Sequence, residues 1–322
     1  MKKITTDPAE RKSVRWQVRA KAVVRRAPSP RAISWGRLMT YDRRKQLTGF
    51  LFVLPVLLFF AVFNVYPMLK AFQISLFEWD LVSPMKFAGL KNYVSLLSNA
   101  NFLQSFKVTW YYIVLVYPAS WTLGFAVALL LKADFPGRSF FRTAFFLPVV
   151  FPIIGVSLAW WVMYQPGGLV DSVVGKTLYW MTRSRYAMPG IAIMEIWRET
   201  GYWMILFLVG LQSIHPEYYE AASIDGASPW QVIRYITVPL MRPVFALVVI
   251  ISLIWGMQVI VPMYVMTHGG PGGTTRSLLM LIYETGLRDW RMGAACAMSV
   301  VLLLIMLILT VIQLRLFQER GA

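Results

Sequence analysis

The chain has 322 residues, of which 57% are hydrophobic, 15% aromatic and 15% charged, and its formal net charge is +17. A soluble domain of this size uses about 25% charged residues to cover its surface, so the composition excludes an ordinary soluble globular protein. The single cysteine, Cys296, excludes a disulfide framework. These features indicate a membrane protein.

The positive charge is concentrated in residues 1–46, which hold 14 Lys or Arg and three acidic residues, a net charge of +11. A basic segment beside the first apolar run stays on the cytoplasmic side, close to anionic headgroups. We therefore predict a basic cytoplasmic N-terminal arm over residues 1–46 and a membrane domain over residues 47–322. The membrane explains the charge, so we expect no nucleic-acid partner. No cleavable signal peptide is predicted.

Five uncharged runs of 23 residues or more are long enough to cross a bilayer, which takes about 20 apolar residues of helix. A sixth segment carries Glu195, Arg198 and Glu199 in its first half, and charges inside a span face a bundle interior or a water-filled cavity. In the alternative interpretation, that helix ends near Thr200 and the charges lie in a loop. We predict an all-α membrane protein with six transmembrane helices. The predicted spans are about 47–69, 108–131, 143–164, 190–212, 243–265 and 292–314.

Six crossings from a cytoplasmic arm place both termini in the cytoplasm. The two inner loops are then residues 132–142 and 213–242, and the second of these is much longer than a simple connection requires. The outer segments are 70–107, 165–189 and 266–291.

Nothing in the sequence indicates catalysis. The stretch "VDSVVGKT" (170–177) ends like a phosphate-binding loop, but Val170 stands in place of the first required glycine and no strand precedes it. His215 and His268 are far apart and have no ligand-like spacing. We therefore expect no enzymatic activity and no metal.

The second inner loop contains "HPEYYEAASIDGASPWQVIRYITVP", residues 215–239. Pro216 suits the first turn of a helix, and Gly226 is placed to end that helix in a left-handed conformation. Ser228 and Gln231 form a capping-box pattern that begins a second helix, which Pro239 is expected to stop. The loop is therefore predicted to be a helix, a glycine turn and a second helix.

Two interpretations of this loop are open on the residues alone. Ala221 and Ala222 allow another protein's backbone to approach closely, and Glu220 and Asp225 offer charged acceptors to a basic partner. In that interpretation the loop is a docking surface. Alternatively, it is an interfacial hairpin that holds the fourth and fifth spans together.

The stretch "EAASIDGASPWQVIRYITVP" resembles the signature cytoplasmic loop of permeases from ATP-binding-cassette (ABC) importers, although Val238 stands where leucine is usual. Its D-G-A form is typical of the carbohydrate-uptake branch. Further stretches, "GLKNYVSLL", "RSFFRTAFFLP", "GLQSIHPEYYEAA" and "THGGPGGTT", resemble maltose and glycerol-phosphate permeases and extend the resemblance over nearly all residues from 47 onward. The residues that the resemblance assigns to coupling with an ATPase are Glu220, Ala221, Ala222, Asp225, Gly226, Ala227, Ile236 and Pro239.

The resemblance implies a type I ABC importer permease with a cytoplasmic coupling-helix loop over residues 213–242. It implies a bacterial inner-membrane location and four partner chains: a second, homologous permease, two cytoplasmic ATPase subunits and an extracytoplasmic solute-binding protein. ATP would be bound by the ATPase subunits, and this chain would bind no cofactor.

The resemblance also implies a substrate path through the spans on either side of the loop. Carboxylates that accept hydrogen bonds from hydroxyls, and aromatic faces that stack on sugar rings, suit such a path. In the alternative interpretation, the aromatic residues are packing or interface anchors, and Arg198 neutralises a neighbouring glutamate. The residues assigned to the path are Glu195, Glu199, Tyr202, Trp203, Trp255, Gln258 and Tyr264.

Two alternatives to a sugar importer are kept. The solute of an ABC permease could instead be glycerol phosphate, a polyol or an amino acid. A secondary transporter is the other alternative, but it would use inverted repeats and broken helices, and the sequence indicates neither.

Overall fold

The computed structural model describes residues 35–318; for residues 35–42, 44 and 318 it describes the backbone alone. Most of the predicted basic arm therefore lies outside the described residues. The described part is almost entirely helical, as predicted, with one antiparallel pair of short strands, β1 (Phe77–Glu78) and β2 (Lys86–Phe87). The chain divides into two compact units, and the first ends at Pro67.

The described part of the first unit is a long helix that is apolar from Leu47 onward. Helix α1 (Trp35–Phe60) passes through a π-helical turn (Ala61–Val65) into α2 (Tyr66–Ser75), which continues beyond the end of this unit. Between Leu47 and Pro67, nearly all side chains of this helix are exposed; Phe52, for example, is 80% exposed. A helix that is apolar on every side has to be surrounded by lipid or by other apolar protein.

The second unit contains the remaining helices. They are α3 (Lys91–Leu97), α4 (Ala100–Lys132), α5 (Arg138–Val150), α6 (Ile153–Met163), α7 (Leu169–Val174), α8 (Ser184–Gln212), α9 (Pro216–Ile224), α10 (Pro229–Val232), α11 (Val238–Leu240), α12 (Arg242–Met257), α13 (Val261–Thr267), α14 (Leu278–Tyr283) and α15 (Met292–Gln318). Two further π-helical turns cover Ile233–Thr237 and Glu284–Arg288.

The centre of the second unit is the packing of α4 against α8. Gly124 makes their close approach possible, because a Cβ atom at this position would lie 2.8 Å from the Cβ of Trp203. Small residues allow helices to pack closely in a bilayer, where van der Waals contact drives association. Val116 on α4 and Met204 on α8 are fully buried. This packing fixes the position of the charged segment of α8.

Helix α8 is continuous from Ser184 to Gln212, so the alternative in which it ends near Thr200 is wrong. The hydroxyl of Thr200 donates a hydrogen bond to the carbonyl of Ile196, 2.6 Å away, inside the helix. The three charged residues of the sixth predicted span therefore belong to an unbroken helix rather than to a loop.

Among the described residues, three helices are long and apolar enough to cross a bilayer: Lys45–Ser75, Ala100–Lys132 and Met292–Phe317. Counting each of two bent helix pairs as one crossing raises the number to five. Helix α8 is long enough, with 29 residues, but its charged segment keeps it out of this set. The count of six spans remains a prediction.

The predicted span 143–164 is not one straight helix. Helices α5 and α6 meet at an angle of 94°, and the chain between them is non-helical at Phe151 and Pro152. Pro152 has no N–H to continue the hydrogen-bond ladder of α5 and stands at the N-cap of α6. The expectation that the chain has no broken helices is therefore wrong.

The predicted span 243–265 is also interrupted, because α12 ends at Met257 and α13 begins at Val261. Pro262 cannot donate the hydrogen bond that the carbonyl of Gln258 would accept in a continuous helix. The buried carbonyl of Val259 accepts a hydrogen bond from the hydroxyl of Ser277, 2.6 Å away. Non-helical backbone is tolerated in a membrane domain where protein groups satisfy it in this way.

The prediction that Pro239 stops the second helix of the 213–242 loop is wrong. The helical path runs through the π-helical turn to Leu240 and then bends by 67° into α12. The N–H of Val238 bonds the carbonyl of Ile233, five residues back. This shift from the α-helical register accommodates the missing N–H of Pro239, so the chain stays helical.

Candidate functional site

The first helix of the inner loop begins and ends as its sequence predicts. Pro216 occupies the first turn of α9, with Glu217 beside it at the positive end of the helix dipole. At the other end, Gly226 has a φ of +71°. Its N–H bonds the carbonyl of Ser223, and the N–H of Ala227 bonds the carbonyl of Ala222 at 2.9 Å. These two bonds form a Schellman motif, which needs a left-handed residue at the turn.

A capping box begins the second helix of the loop. The Ser228 side chain accepts a hydrogen bond from the N–H of Gln231, and the Gln231 side chain accepts one from the N–H of Ser228 at 2.7 Å. Pro229 occupies the first helical position. The helix, turn and capping box predicted from the sequence are therefore confirmed.

The two helices of the loop enclose an open cleft of about 1020 Å³. Six of the eight predicted coupling residues line it: Ala221, Ala222, Asp225, Gly226, Ala227 and Ile236. Glu220 and Pro239 do not. Glu220 is exposed outside the cleft, and the acidic residue that lines it in the same helix is Glu217.

Large apolar side chains around this cleft are exposed. Ile224 is 87% exposed, and Trp230 and Tyr235 are each 68% exposed. An isolated hairpin would gain by folding these side chains inward, since burial of an apolar side chain stabilises by about 1.5–3 kcal/mol. The surface is therefore suited to being covered by something else.

One aromatic residue connects the loop to the transmembrane helices. The Nζ of Lys132, the last residue of α4, lies 3.4 Å from the ring centroid of Tyr219. The Tyr219 hydroxyl is 3.4 Å from that of Thr237 in the second half of the loop. Tyr219 thus contacts the end of α4 and both halves of the loop, a role that the sequence did not reveal.

The charged residues of α8 form a compact cluster. The Nη2 atom of Arg198 donates to Glu195 at 2.8 Å and to Glu199 at 3.1 Å. The two glutamates are 1% and 4% exposed. One guanidinium therefore pairs with both carboxylates, and not with only one of them as predicted.

The cluster leaves three polar atoms without a hydrogen-bond partner among the described residues. They are Oε1 of Glu195, Oε2 of Glu199 and Nε of Arg198. A buried polar atom without a partner costs about 1–3 kcal/mol, and more if it is charged. Native structures retain such atoms where a ligand, an ion or water completes them.

A cavity of about 360 Å³ lies against this cluster. Its volume falls in the range of about 300–1000 Å³ that is usual for small-molecule sites. Among the residues predicted for the substrate path, Glu195, Glu199, Trp255 and Gln258 line it together. The remaining wall includes the non-helical segment between α12 and α13.

Sequence reasoning missed the two tyrosines that line this cavity, Tyr112 and Tyr117 on α4. Both side chains are 1% exposed. The signal available was a pair of phenol groups inside an otherwise apolar span, where a hydroxyl needs a polar partner. Only the packing of α4 against α8 places them beside the carboxylates.

The other residues predicted for the path lie beside or away from the cavity. Tyr202 and Trp203 do not line it, but their rings lie 4.9 and 5.8 Å from that of Trp255 and support it from behind. Trp203 is fully buried, as the packing interpretation expects. Tyr264 belongs to a different cluster, 5.3 Å from His268 and 5.8 Å from Tyr283.

Within residues 35–318, no group of three or more His, Cys, Asp or Glu side chains could hold a metal ion. The first five residues of the phosphate-loop-like stretch lie in α7, whose Asp171 accepts hydrogen bonds from the N–H groups of Gly167 and Leu178. That carboxylate closes a local turn. The segment is a folded connection.

Residues 120–320 match the model of the family described as the binding-protein-dependent transport system inner membrane component. The match covers more than half of the chain, and the chain belongs to this family. Its members are membrane components of transport systems, so this chain is a transport component rather than an enzyme.

Curated relatives match over most of their length. The trehalose/maltose transport system permease protein of Thermococcus litoralis is 33% identical over 279 residues, which cover 84% of this chain and 94% of the relative. The lactose transport system permease protein of Rhizobium radiobacter is 31% identical over 290 residues, covering 86% and 96%.

Solved structures share the fold. A bacterial ABC transporter involved in the import of the acidic polysaccharide alginate matches with a TM-score of 0.78 and 23% identity, covering 89% of this chain and 100% of that one. The alginate transporter in complex with its pentasaccharide-bound periplasmic protein matches with a TM-score of 0.75 and 23% identity, covering 85% and 94%. The fold is that of a type I ABC importer permease.

Proposed function

We propose that this chain is the membrane-spanning permease subunit of an ABC importer that translocates a sugar or oligosaccharide delivered by an extracytoplasmic binding protein. The observation that carries the proposal is the exposed cleft of residues 213–242, found in a chain of this family. The names of the relatives support the solute class, since they transport trehalose, maltose and lactose.

The loop acts as the coupling helix. An ATPase subunit covers the exposed apolar side chains around the cleft, and the carboxylate of Glu220 pairs with a basic ATPase residue. The small residues Ala221 and Ala222 let the partner's backbone approach. Two cytoplasmic ATPase subunits bind and hydrolyse ATP, and this chain binds no cofactor of its own.

The assembly is a heterodimer of this chain and a second, homologous permease, each engaging one ATPase subunit. Closure of the ATPases moves the loop, and Tyr219 passes the movement to α4 through Lys132. Because α4 lines the cavity through Tyr112 and Tyr117, movement of the loop changes the walls of the solute path. Six crossings with both termini in the cytoplasm place the loop on the correct side.

The solute path passes the cavity beside α8. The carboxylates of Glu195 and Glu199 accept hydrogen bonds from hydroxyls, and Trp255, backed by Tyr202 and Trp203, offers a face to a sugar ring. Tyr264 contacts the solute away from this cavity, next to the glycine-rich outer segment.

A secondary transporter is the second candidate. The bends of 94° and 67° favour it, because such transporters form their sites from broken helices. The ABC importer is favoured because a solved ABC importer has a similar fold. Bent helix pairs are then compatible with a permease that works with ATPases.

Purification of the tagged chain from its own host in mild detergent tests the proposal. We expect an ATPase subunit and a second homologous permease to co-purify, and reconstituted vesicles to take up labelled disaccharide only with ATP and the binding protein. Vesicles that lack ATP are the matched control. A chain that purifies alone and moves solute without ATP would contradict the proposal and make Glu195 and Glu199 candidates for ion coupling.

A further inference from the structure

We infer that the Glu195–Arg198–Glu199 cluster is a charge filter, which admits neutral polyhydroxylated solutes to the cavity and excludes anionic ones. The inference rests on the proposed solute path and narrows its substrate class to neutral sugars and polyols. Glycerol phosphate and acidic sugars would be rejected.

The formal charge of the cavity supports the inference. Among the described residues that line it, two are acidic and one is basic, so its formal charge is −1. The only guanidinium is held between both carboxylates by bonds of 2.8 and 3.1 Å, so its charge is already compensated. Both glutamates are buried, and the interaction between buried charges is several times stronger than in bulk solvent. An anion that enters therefore finds no uncompensated cation to pair with.

The unpartnered atoms also match a hydroxyl better than an anion. Oε1 of Glu195 and Oε2 of Glu199 are acceptors, and Nε of Arg198 is a donor. A hydroxyl donates one hydrogen bond and accepts others, so a polyhydroxylated solute can satisfy all three atoms. A phosphate dianion or a carboxylate group only accepts, so an anionic solute can reach the glutamate oxygens only with its hydroxyls and gains nothing there from its charged group.

The other polar groups of the cavity do not reverse this preference. The hydroxyls of Tyr112 and Tyr117 and the amide of Gln258 can each donate and accept. They accommodate either class of solute, so the discrimination depends on the carboxylates.

Charged thiol reagents measure the filter without knowledge of the natural solute. The reporter is Gln258→Cys, because this side chain is exposed at the cavity wall. Cys296→Ser removes the only native thiol. Reaction rates are measured on the purified full-chain complex with a trimethylammonium and a sulfonate methanethiosulfonate of similar size. The ratio of the two rates cancels any effect of the cavity on the thiol itself.

We expect the ratio of the cationic to the anionic reaction rate to be roughly tenfold higher at the reporter than at a control cysteine, because an excess of carboxylates over cations in a cleft concentrates positive charge. Ser98→Cys is the control, because this residue is exposed outside the cavity. Adding Glu195→Gln and Glu199→Gln to the reporter should bring the ratio down to the control value or below it.

Equal ratios at the reporter and control, or failure of both reagents to reach the reporter, would overturn the filter. If the double glutamine variant does not assemble, the ratio in the unaltered cavity still decides. The readout needs neither ATP nor binding protein, so the two proposals fail separately. Loss of ATP-driven uptake with a preserved ratio would reject the importer and keep the filter.

Discussion

The inner loop and the α8 cavity are organised in opposite ways. The loop is formed by local contacts: every bond of its turn and its capping box joins residues within five positions of each other. The cavity joins residues that are far apart in the chain, such as Tyr112, Glu195 and Gln258. The loop is therefore a preformed unit on the surface, whereas the cavity exists only when α4, α8 and α12 are packed together.

The two regions also differ in what they leave incomplete. The loop exposes apolar side chains, which suits contact with a protein surface. The cavity leaves polar atoms without partners, which suits a hydrogen-bonding solute. Under the proposed function, this division separates the surface that docks the ATPase from the site where the solute passes.

The largest expected effect comes from breaking the charge cluster of the cavity. Arg198→Met leaves two buried carboxylates without their cation, and removal of one partner from a buried ion pair costs about 3–5 kcal/mol. We expect a lower melting temperature of the purified complex. Size-exclusion chromatography after heating measures it.

Arg288→Met is the matched control for that variant. Arg288 also contacts acidic residues, Glu284 at 3.3 Å and Asp289 at 3.1 Å, but its side chain is 64% exposed. Its pair with Asp289 is exposed, and exposed ion pairs contribute about 0–1 kcal/mol. The buried carboxylate of Glu284 keeps Arg276 as a second cation at 3.3 Å, so the effect should be small. Equal shifts in the two variants would mean that the cavity is as well hydrated as the surface.

A smaller effect is expected from breaking the turn of the loop. Gly226 is left-handed, and a Cβ atom there would meet nothing within 4 Å, so Gly226→Val tests the backbone conformation alone. The left-handed conformation costs an L-residue about 1–2 kcal/mol. If this strain must be carried when the loop is docked on the ATPase, the stimulated rate of ATP hydrolysis should fall about 5–30-fold. Hydrolysis by the reconstituted complex measures it.

Gly226→Asn is the control for the turn, because asparagine tolerates the left-handed conformation and is found at helix C-termini. It should keep most of the stimulation while adding a side chain of similar size. A loss of activity that is equal in the two variants would indicate contact with the side chain rather than strain, and normal stimulation in Gly226→Val would reject the coupling assignment.

The same contrast explains what the sequence could predict. The fold class was predictable because long apolar runs are visible in the sequence. The helix, turn and capping box of the loop were predictable because Pro216, Gly226 and Ser228 determine the conformation of residues only a few positions away. The charged residues of α8 were recognisable as costly because charge in an apolar segment is a one-dimensional signal.

Three features depended on contacts that the sequence does not display. Tyr112 and Tyr117 join the carboxylates only through packing of distant helices. The interruption before Val261 depends on Ser277, which satisfies the freed backbone from 18 positions away. Pro239 was expected to end a helix, but a shift of hydrogen-bond register within the preceding turn keeps the chain helical.

The smallest expected effect concerns the connection between the two regions. Lys132→Met removes the charge above the Tyr219 ring but keeps the length of the side chain, and a cation–π contact of this kind contributes about 0.5–1 kcal/mol. Since this contact joins the loop to the helix that carries Tyr112 and Tyr117, we expect ATP hydrolysis to persist while solute moved per ATP falls roughly 2–5-fold. Lys176→Met, at an exposed lysine beyond α7, should leave that ratio unchanged. An unchanged ratio in Lys132→Met would mean that the loop moves α4 through the backbone instead.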